Sequence, residues 1–121
     1  MRRTTALLMV PVLLSACSGG GSKGSVTATG PAGAQVATIG MNDSDEFVPG
    51  EVQAKVGTLT LTVENLGGKP HNLVFTDESL GRTTTMGRDD TTPLKLLIKK
   101  AGTYTFECTY HSGMDGRVIV S

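Results

Sequence analysis

This sequence predicts an all-β domain, a sandwich or barrel, on three observations. Thr58-Leu-Thr-Leu-Thr-Val-Glu64 alternates strictly between polar and apolar residues, the period of a strand with one face buried. Glycines at 57, 67, 68, 81, 102 and 113 divide the chain into short runs and signal turns. No stretch of ten residues sustains a helical period. Short strands at close spacing between glycine turns fit a sandwich or barrel best.

The elements follow in order. Residues 1–16 read as a signal peptide: Arg2 and Arg3 precede an apolar run from Ala6 to Leu14 that is too short to span a membrane as a helix. Leu14-Ser15-Ala16-Cys17 resembles the lipobox of bacterial lipoproteins, in which the cysteine takes lipid and becomes the first mature residue. An ordinary signal peptide is the alternative, but Leu14 fits poorly where such cleavage sites take a small residue. Residues 17–33, rich in glycine and serine with almost nothing to bury, read as a lipid-anchored flexible tether. The folded domain is then 34–121, a single one, short but sufficient for one sandwich core.

Within it, Val52, Ala54 and Val56 alternate with Glu51, Gln53 and Lys55, and Leu59, Leu61 and Val63 form the next inward face. The polar stretch 76–92 reads as loop with room for one helical turn. Leu94, Leu96 and Ile98 give another inward face, and Val118 and Val120 a last one. In Gly102-Thr-Tyr-Thr-Phe-Glu-Cys108, Tyr104, Phe106 and Cys108 share the core side, so the cysteine points inward at a strand end. His71 shares parity with Leu73 and Phe75 in the same way.

Charge excludes some functions. The chain has 11 basic and 11 acidic residues, and removal of 1–16 takes Arg2 and Arg3 away, leaving nine against eleven. A nearly neutral chain without a basic cluster does not fit nucleic-acid binding, and there is no polybasic patch for anionic lipid. Membrane attachment therefore rests on lipid at Cys17.

The chemistry concentrates in FECTYHSGMDGRV, residues 106–118, where Cys108, His111 and Met114 recur at intervals of three. With Cys17 lipidated, Cys108 is the sole remaining thiol and no intrachain disulfide can form. The chain has two histidines, and His71, the second, is aimed at a strand end like Cys108. Thiolate, two imidazoles and a weak thioether are the donor set of blue-copper electron-transfer centres. Imidazole suits Cu(II), while thiolate and thioether suit Cu(I). Structural zinc takes no thioether, iron–sulfur clusters need several cysteines, and calcium and magnesium need oxygen donors. The acidic groups Asp43, Asp45, Glu46 and Asp89, Asp90 lack EF-hand spacing and read as solvated loops. Each donor alone would be ordinary, a buried cysteine or a packing methionine. Both histidines and the remaining cysteine meeting in one place is what favours a metal.

These residues carry a resemblance to the cupredoxins, the plastocyanin, amicyanin and azurin group of blue copper proteins. It spans most of 39–121 through Phe47-Val-Pro49, Val52, Val56-Gly57, Val63-Glu-Asn65, Pro70-His71-Asn72, Gly102-Thr-Tyr104, Cys108-x-x-His111-x-x-Met114 and Gly116. The ligand loop resembles the short one of amicyanins. The resemblance implies a Greek-key sandwich holding one type 1 copper, with His71, Cys108 and His111 as strong ligands and Met114 as the long axial one. It also implies that Asn72 ties the two ligand loops by hydrogen bonding and that His111 passes the electron to redox partners docking near it. Tyr110 and Ser112 stand where amicyanin-like loops carry proline, which bears on loop rigidity. Met41 and Met86 lack the loop spacing and read as packing or loop residues.

The expected function is a monomeric one-electron carrier, exported and lipid-anchored at the outer face of a bacterial membrane or at a periplasmic membrane surface. A copper-delivery lipoprotein using the same ligands is the alternative; the chain has no methionine- or histidine-rich run of the kind a copper store would carry. An enzyme is not expected, because both histidines are committed and none is left for a second copper centre.

Overall fold

The computed structural model describes residues 24–121. The signal peptide expected over 1–16 and the lipid site expected at Cys17 lie outside the described residues. Nine strands and one 3-10 turn make up the domain, and they form two sheets, as the alternating pattern predicts. The strands are β1 (Ser25–Thr27), β2 (Gln35–Met41), β3 (Phe47–Val48), β4 (Glu51–Ala54), β5 (Gly57–Asn65), β6 (Val74–Phe75), β7 (Thr91–Ile98), β8 (Gly102–Glu107) and β9 (Asp115–Val120). One sheet runs β1-β4-β9-β8-β6 and the other β3-β2-β5-β7.

Alternation decides what lies between them. On β5, Leu59, Leu61 and Val63 are buried while the threonines between them are half-buried. Opposite them in antiparallel register, β7 buries Leu96 and Ile98, and β2 runs parallel on the other side of β5 with Ala37, Ile39 and Met41 inward. The facing sheet contributes Val52, Phe75, Phe106, Val118 and Val120. Phe106 is the hub: its ring meets Phe47 edge-on at 4.9 Å and 89°, and Phe75 at 5.5 Å and 68°. Tyr104 is only half-buried, and its hydroxyl donates to the Lys100 carbonyl at 2.6 Å, keeping its polar end outside the core.

Two sequence expectations need correction. The tether expected to run to residue 33 gives way to structure at Ser25. Ser25–Thr27 adds a parallel strand to β4, Thr29 pairs with Val36, and the Ala32 carbonyl accepts the Thr58 N–H at 2.9 Å. Backbone groups supply this docking, with Val26 and Ala28 resting against the core, so a glycine-rich composition conceals it. Gly57 makes the crossing possible: its φ is 139°, and a Cβ there would lie 2.0 Å from the Ala32 oxygen.

The second correction concerns Val56, expected inward and found 39% exposed. The strand ends at Ala54 because the side-chain amide of buried Gln35 intercepts it. Gln35 Oε1 accepts from Lys55 N at 2.8 Å, and its Nε2 donates to the Lys55 carbonyl at 2.9 Å. The polar stretch 76–92 holds one short helical turn, Glu78–Leu80, capped by the Asp77 side chain.

Gly116 faces Phe106 across the β8–β9 ladder. A Cβ on it would sit 2.6 Å from two atoms of the Phe106 ring and 2.7 Å from the Gly50 carbonyl oxygen. Gly116→Ala is therefore expected to lower the unfolding free energy by about 1–3 kcal/mol through overpacking. Urea unfolding of the two proteins checks it, and equal midpoints would contradict it.

Candidate metal centre

The site is built at one end of the sandwich from two strand exits. Phe106 and Cys108 keep the inward parity of β8, so the cysteine is buried, and it is a free thiol. The chain then turns back over five residues. The Cys108 N–H donates to the Met114 carbonyl at 2.9 Å, the Met114 N–H to the His111 carbonyl at 3.3 Å, and Gly113 supplies the left-handed φ of 78°. Met114 re-enters on the inward parity that Val118 and Val120 continue, and it is fully buried. His71 arrives from the other loop, between β5 and β6, where its backbone pairs with Met86 in both directions at 3.2 and 2.8 Å.

These exits bring the donors together. Cys108 Sγ lies 3.8 Å from His71 Nδ1 and 3.5 Å from His111 Nδ1. One ligand atom from each of the three residues lies within 4.8 Å of the others. The imidazole rings are 4.8 Å apart and tilted by 56°. All four residues singled out in the sequence, Met114 included, are thus placed as a copper site.

The donor spacing fits such an ion. A metal about 2.0 Å from imidazole nitrogen and 2.3 Å from thiolate sulfur, at a trigonal angle, spaces N and S about 3.7 Å apart, close to what both histidines show. His71 is also fully buried, yet its Nε2 has no hydrogen-bond partner among the described residues. The Asn42 backbone lies near enough to favour the charged ring slightly, but no well-formed bond reaches the nitrogen. Nδ1, facing the sulfur, is where a metal would bind; the unpaired Nε2 is a cost of burying this ring that such a metal would not itself remove.

Hydrogen bonds fix the two loops to one another. Asn72 Nδ2 donates to Thr109 Oγ1 at 2.8 Å, and Thr109 N–H donates back to Asn72 Oδ1 at 2.8 Å, so the residue after one histidine grips the residue after the cysteine. Asn65, buried on the apolar face of β5, donates to the carbonyls of Lys69 at 2.8 Å and Met86 at 3.0 Å. Its Oδ1 accepts the Gly67 N–H at 3.1 Å, which shapes the loop leading into His71. Tyr110, where related loops carry proline, instead anchors the ligand loop by a hydroxyl hydrogen bond with Thr85. Met41 and Met86 are both buried as packing residues.

Several of these residues leave little mark in the sequence. Asn65 had a signal, a polar residue at an inward position of a strictly alternating strand. Thr109, Thr85 and the acidic loop had none, because their partners are distant in sequence. Asp43, read as solvated, accepts the backbone N–H groups of Gly68 at 2.9 Å and Lys69 at 3.1 Å. These bonds hold its carboxyl below the usual range. Asp45 lies 3.6 Å from His111 Nε2 and 3.1 Å from Lys69 Nζ. His111 is the donor nearest solvent, with its side chain 20% exposed.

The comparisons agree with this geometry. The family described as "Cupredoxin-like domain" matches residues 5–120. The chain belongs to the cupredoxin-like domain family. Auracyanin A, a blue copper protein of Chloroflexus aurantiacus, has the same fold at 17% identity and a TM-score of 0.64, over 74% of this chain and 100% of that one. The metal-binding domain of the Cu(I)-exporting ATPase CopA of Streptococcus pneumoniae is similar at 19% identity and TM-score 0.66, over 84% of this chain and 99% of that one. An amicyanin variant in its Cu(I) form is 25% identical at TM-score 0.54, over 71% and 82%. No curated protein sequence matches.

Burial, and then the nearby His111, hold the His71 imidazole below its ordinary value near 6.5. The unfolded chain therefore takes up a proton at a pH where the folded one does not, and stability must rise with pH across that interval. Metal-free protein is expected to lose stability as pH falls from about 7 toward 5. Asp43 and Asp77, both held below 3.8, add losses only at lower pH. Thermal midpoints of metal-free protein over this range check the expectation, and a flat profile would contradict it.

Proposed function

We propose that the protein is a type 1 copper protein acting as a one-electron carrier, with His71, Cys108, His111 and Met114 as its ligands. The carrying observation is the donor set itself: a thiolate, two imidazoles and a thioether, three of them buried, with one imidazole edge at the surface. Family membership and the likeness to amicyanin support the same reading.

Copper held there would supply a centre that alternates between Cu(I) and Cu(II). The chain's residues do the rest. Burial of Cys108, His71 and Met114 keeps water and other ligands from the donors. The bonds from Asn72 to Thr109 and from Asn65 to the 67–69 loop hold both loops in one arrangement, so little needs to move between oxidation states. His111, as the donor with an exposed edge, is the natural exit for the electron, and redox partners would dock around it. With both histidines used in one site, no histidine remains for a second, catalytic copper. The reading is thus a carrier and not an enzyme.

We extend the proposal to location: an exported chain, lipidated at Cys17 and held at the outer face of a bacterial membrane. The eight residue steps from Cys17 to Ser25, the first residue of β1, could reach at most roughly 30 Å, so β1 would lie no further than that from the lipid.

Copper-loaded, oxidised protein is expected to show an intense visible thiolate-to-copper band that Cys108→Ser abolishes. Survival of the colour in that variant would overturn the ligand assignment. Carrier and delivery roles part on exchange: a carrier keeps its copper through repeated reduction and reoxidation beside an apo acceptor. Transfer of copper to the acceptor on that timescale would favour delivery.

A further inference from the structure

The loop between β2 and β3 has a construction that ligand placement alone does not require. Asn42 winds it tightly: its Oδ1 accepts the backbone N–H of Ser44 at 3.0 Å and of Glu46 at 3.0 Å, and its carbonyl accepts from Asp45 N at 3.3 Å. Asp45 adopts a φ of 58°, a left-handed conformation that costs a non-glycine residue energy and persists only when its surroundings impose it. Asp43 then ties the loop to Gly68 and Lys69, within three residues of His71. The result is that the Asp45 carboxylate stands at the mouth of the site. Its Oδ1 is 3.6 Å from His111 Nε2 and 3.1 Å from Lys69 Nζ, and its side chain is 35% exposed.

We propose that Asp45 sets the redox potential of the centre through the outer nitrogen of His111, with Lys69 opposing it. The inference rests on the reading that His111 binds copper through Nδ1. In that state Nε2 must carry the hydrogen, because an imidazole bound through one nitrogen keeps its proton on the other. The carboxylate is the acceptor placed to receive it, its oxygen a few tenths of an ångström beyond ordinary hydrogen-bond range. A carboxylate accepting from a ligating imidazole makes the ring a stronger donor and favours the more highly charged oxidised ion. Lys69 engages the same oxygen and draws part of that charge away. The contact also lies at the ring's exposed edge. Asp45 is thus a positioning and tuning residue that touches a ligand and not the metal.

Asp45→Asn keeps the size and an acceptor oxygen but removes the charge. Its midpoint potential is expected to shift positive of wild type with the visible band retained. In the Cu(I) form, proton NMR should show the His111 Nε2–H exchanging with solvent several-fold faster. Lys69→Gln leaves Asp45 wholly to His111, so its potential should shift negative and the exchange should slow. Lys69→Gln keeps the proposal testable if Asp45→Asn does not fold, since it leaves the loop's own bonds intact. Unchanged potential and exchange in the variants that fold, beside a wild-type blue centre, overturn this inference alone. A wild-type chain with no blue centre overturns the ligand reading and this inference with it.

Discussion

The inward register of β8 is the constraint on which the site depends. Phe106 is locked between Phe47 and Phe75, and Gly116 leaves room for its ring on the partner strand. Two residues on, the same parity turns Cys108 toward the interior just as the ladder runs out. A one-residue slip would send the thiol to solvent and Glu107 into the core. The bond from the Cys108 N–H to the Met114 carbonyl then folds the loop back, so His111 and Met114 inherit positions from the same register. The packed aromatic cluster is in this sense the foundation of the metal chemistry.

What the register leaves open, polar side chains close. Asn72 and Thr109 join the loops that carry His71 and Cys108, and Asn65 shapes the turn before His71. The short ligand loop lacks proline, and the Tyr110–Thr85 bond takes over part of the restraint a ring would provide. A hydroxyl pair can be broken and re-formed where a ring cannot. The loop's stiffness therefore depends on the 81–90 segment staying in place against it. Asp43 and Asp45 add a layer on the outside, where charge reaches the one histidine edge that solvent touches.

Much of this was legible in the residues. Strict alternation in 58–64 and the parity of Phe106 and Cys108 are one-dimensional signals, and they placed both the sandwich and the strand-end thiol. Asn72 was legible through family resemblance, and its bonds to Thr109 are those the resemblance implies. The strand at Ser25–Thr27 was hidden because backbone pairing leaves no mark in a glycine- and serine-rich composition. The outward position of Val56 was hidden because the Gln35 side chain, 20 residues from its partner Lys55, ends the strand first. Asp45 was hidden for a similar reason. Its neighbour in space is 66 positions along the chain, and only the folded loop aims it there.

The central claim is a single copper that exchanges one electron without leaving its ligands. A potentiometric titration of the copper-loaded protein, followed at the visible thiolate band, tests it most directly. The account predicts one copper per chain and a single reversible one-electron transition, retraced without loss of intensity over repeated cycles. A band that fails to return on reoxidation, or copper released to solution on reduction, would contradict it.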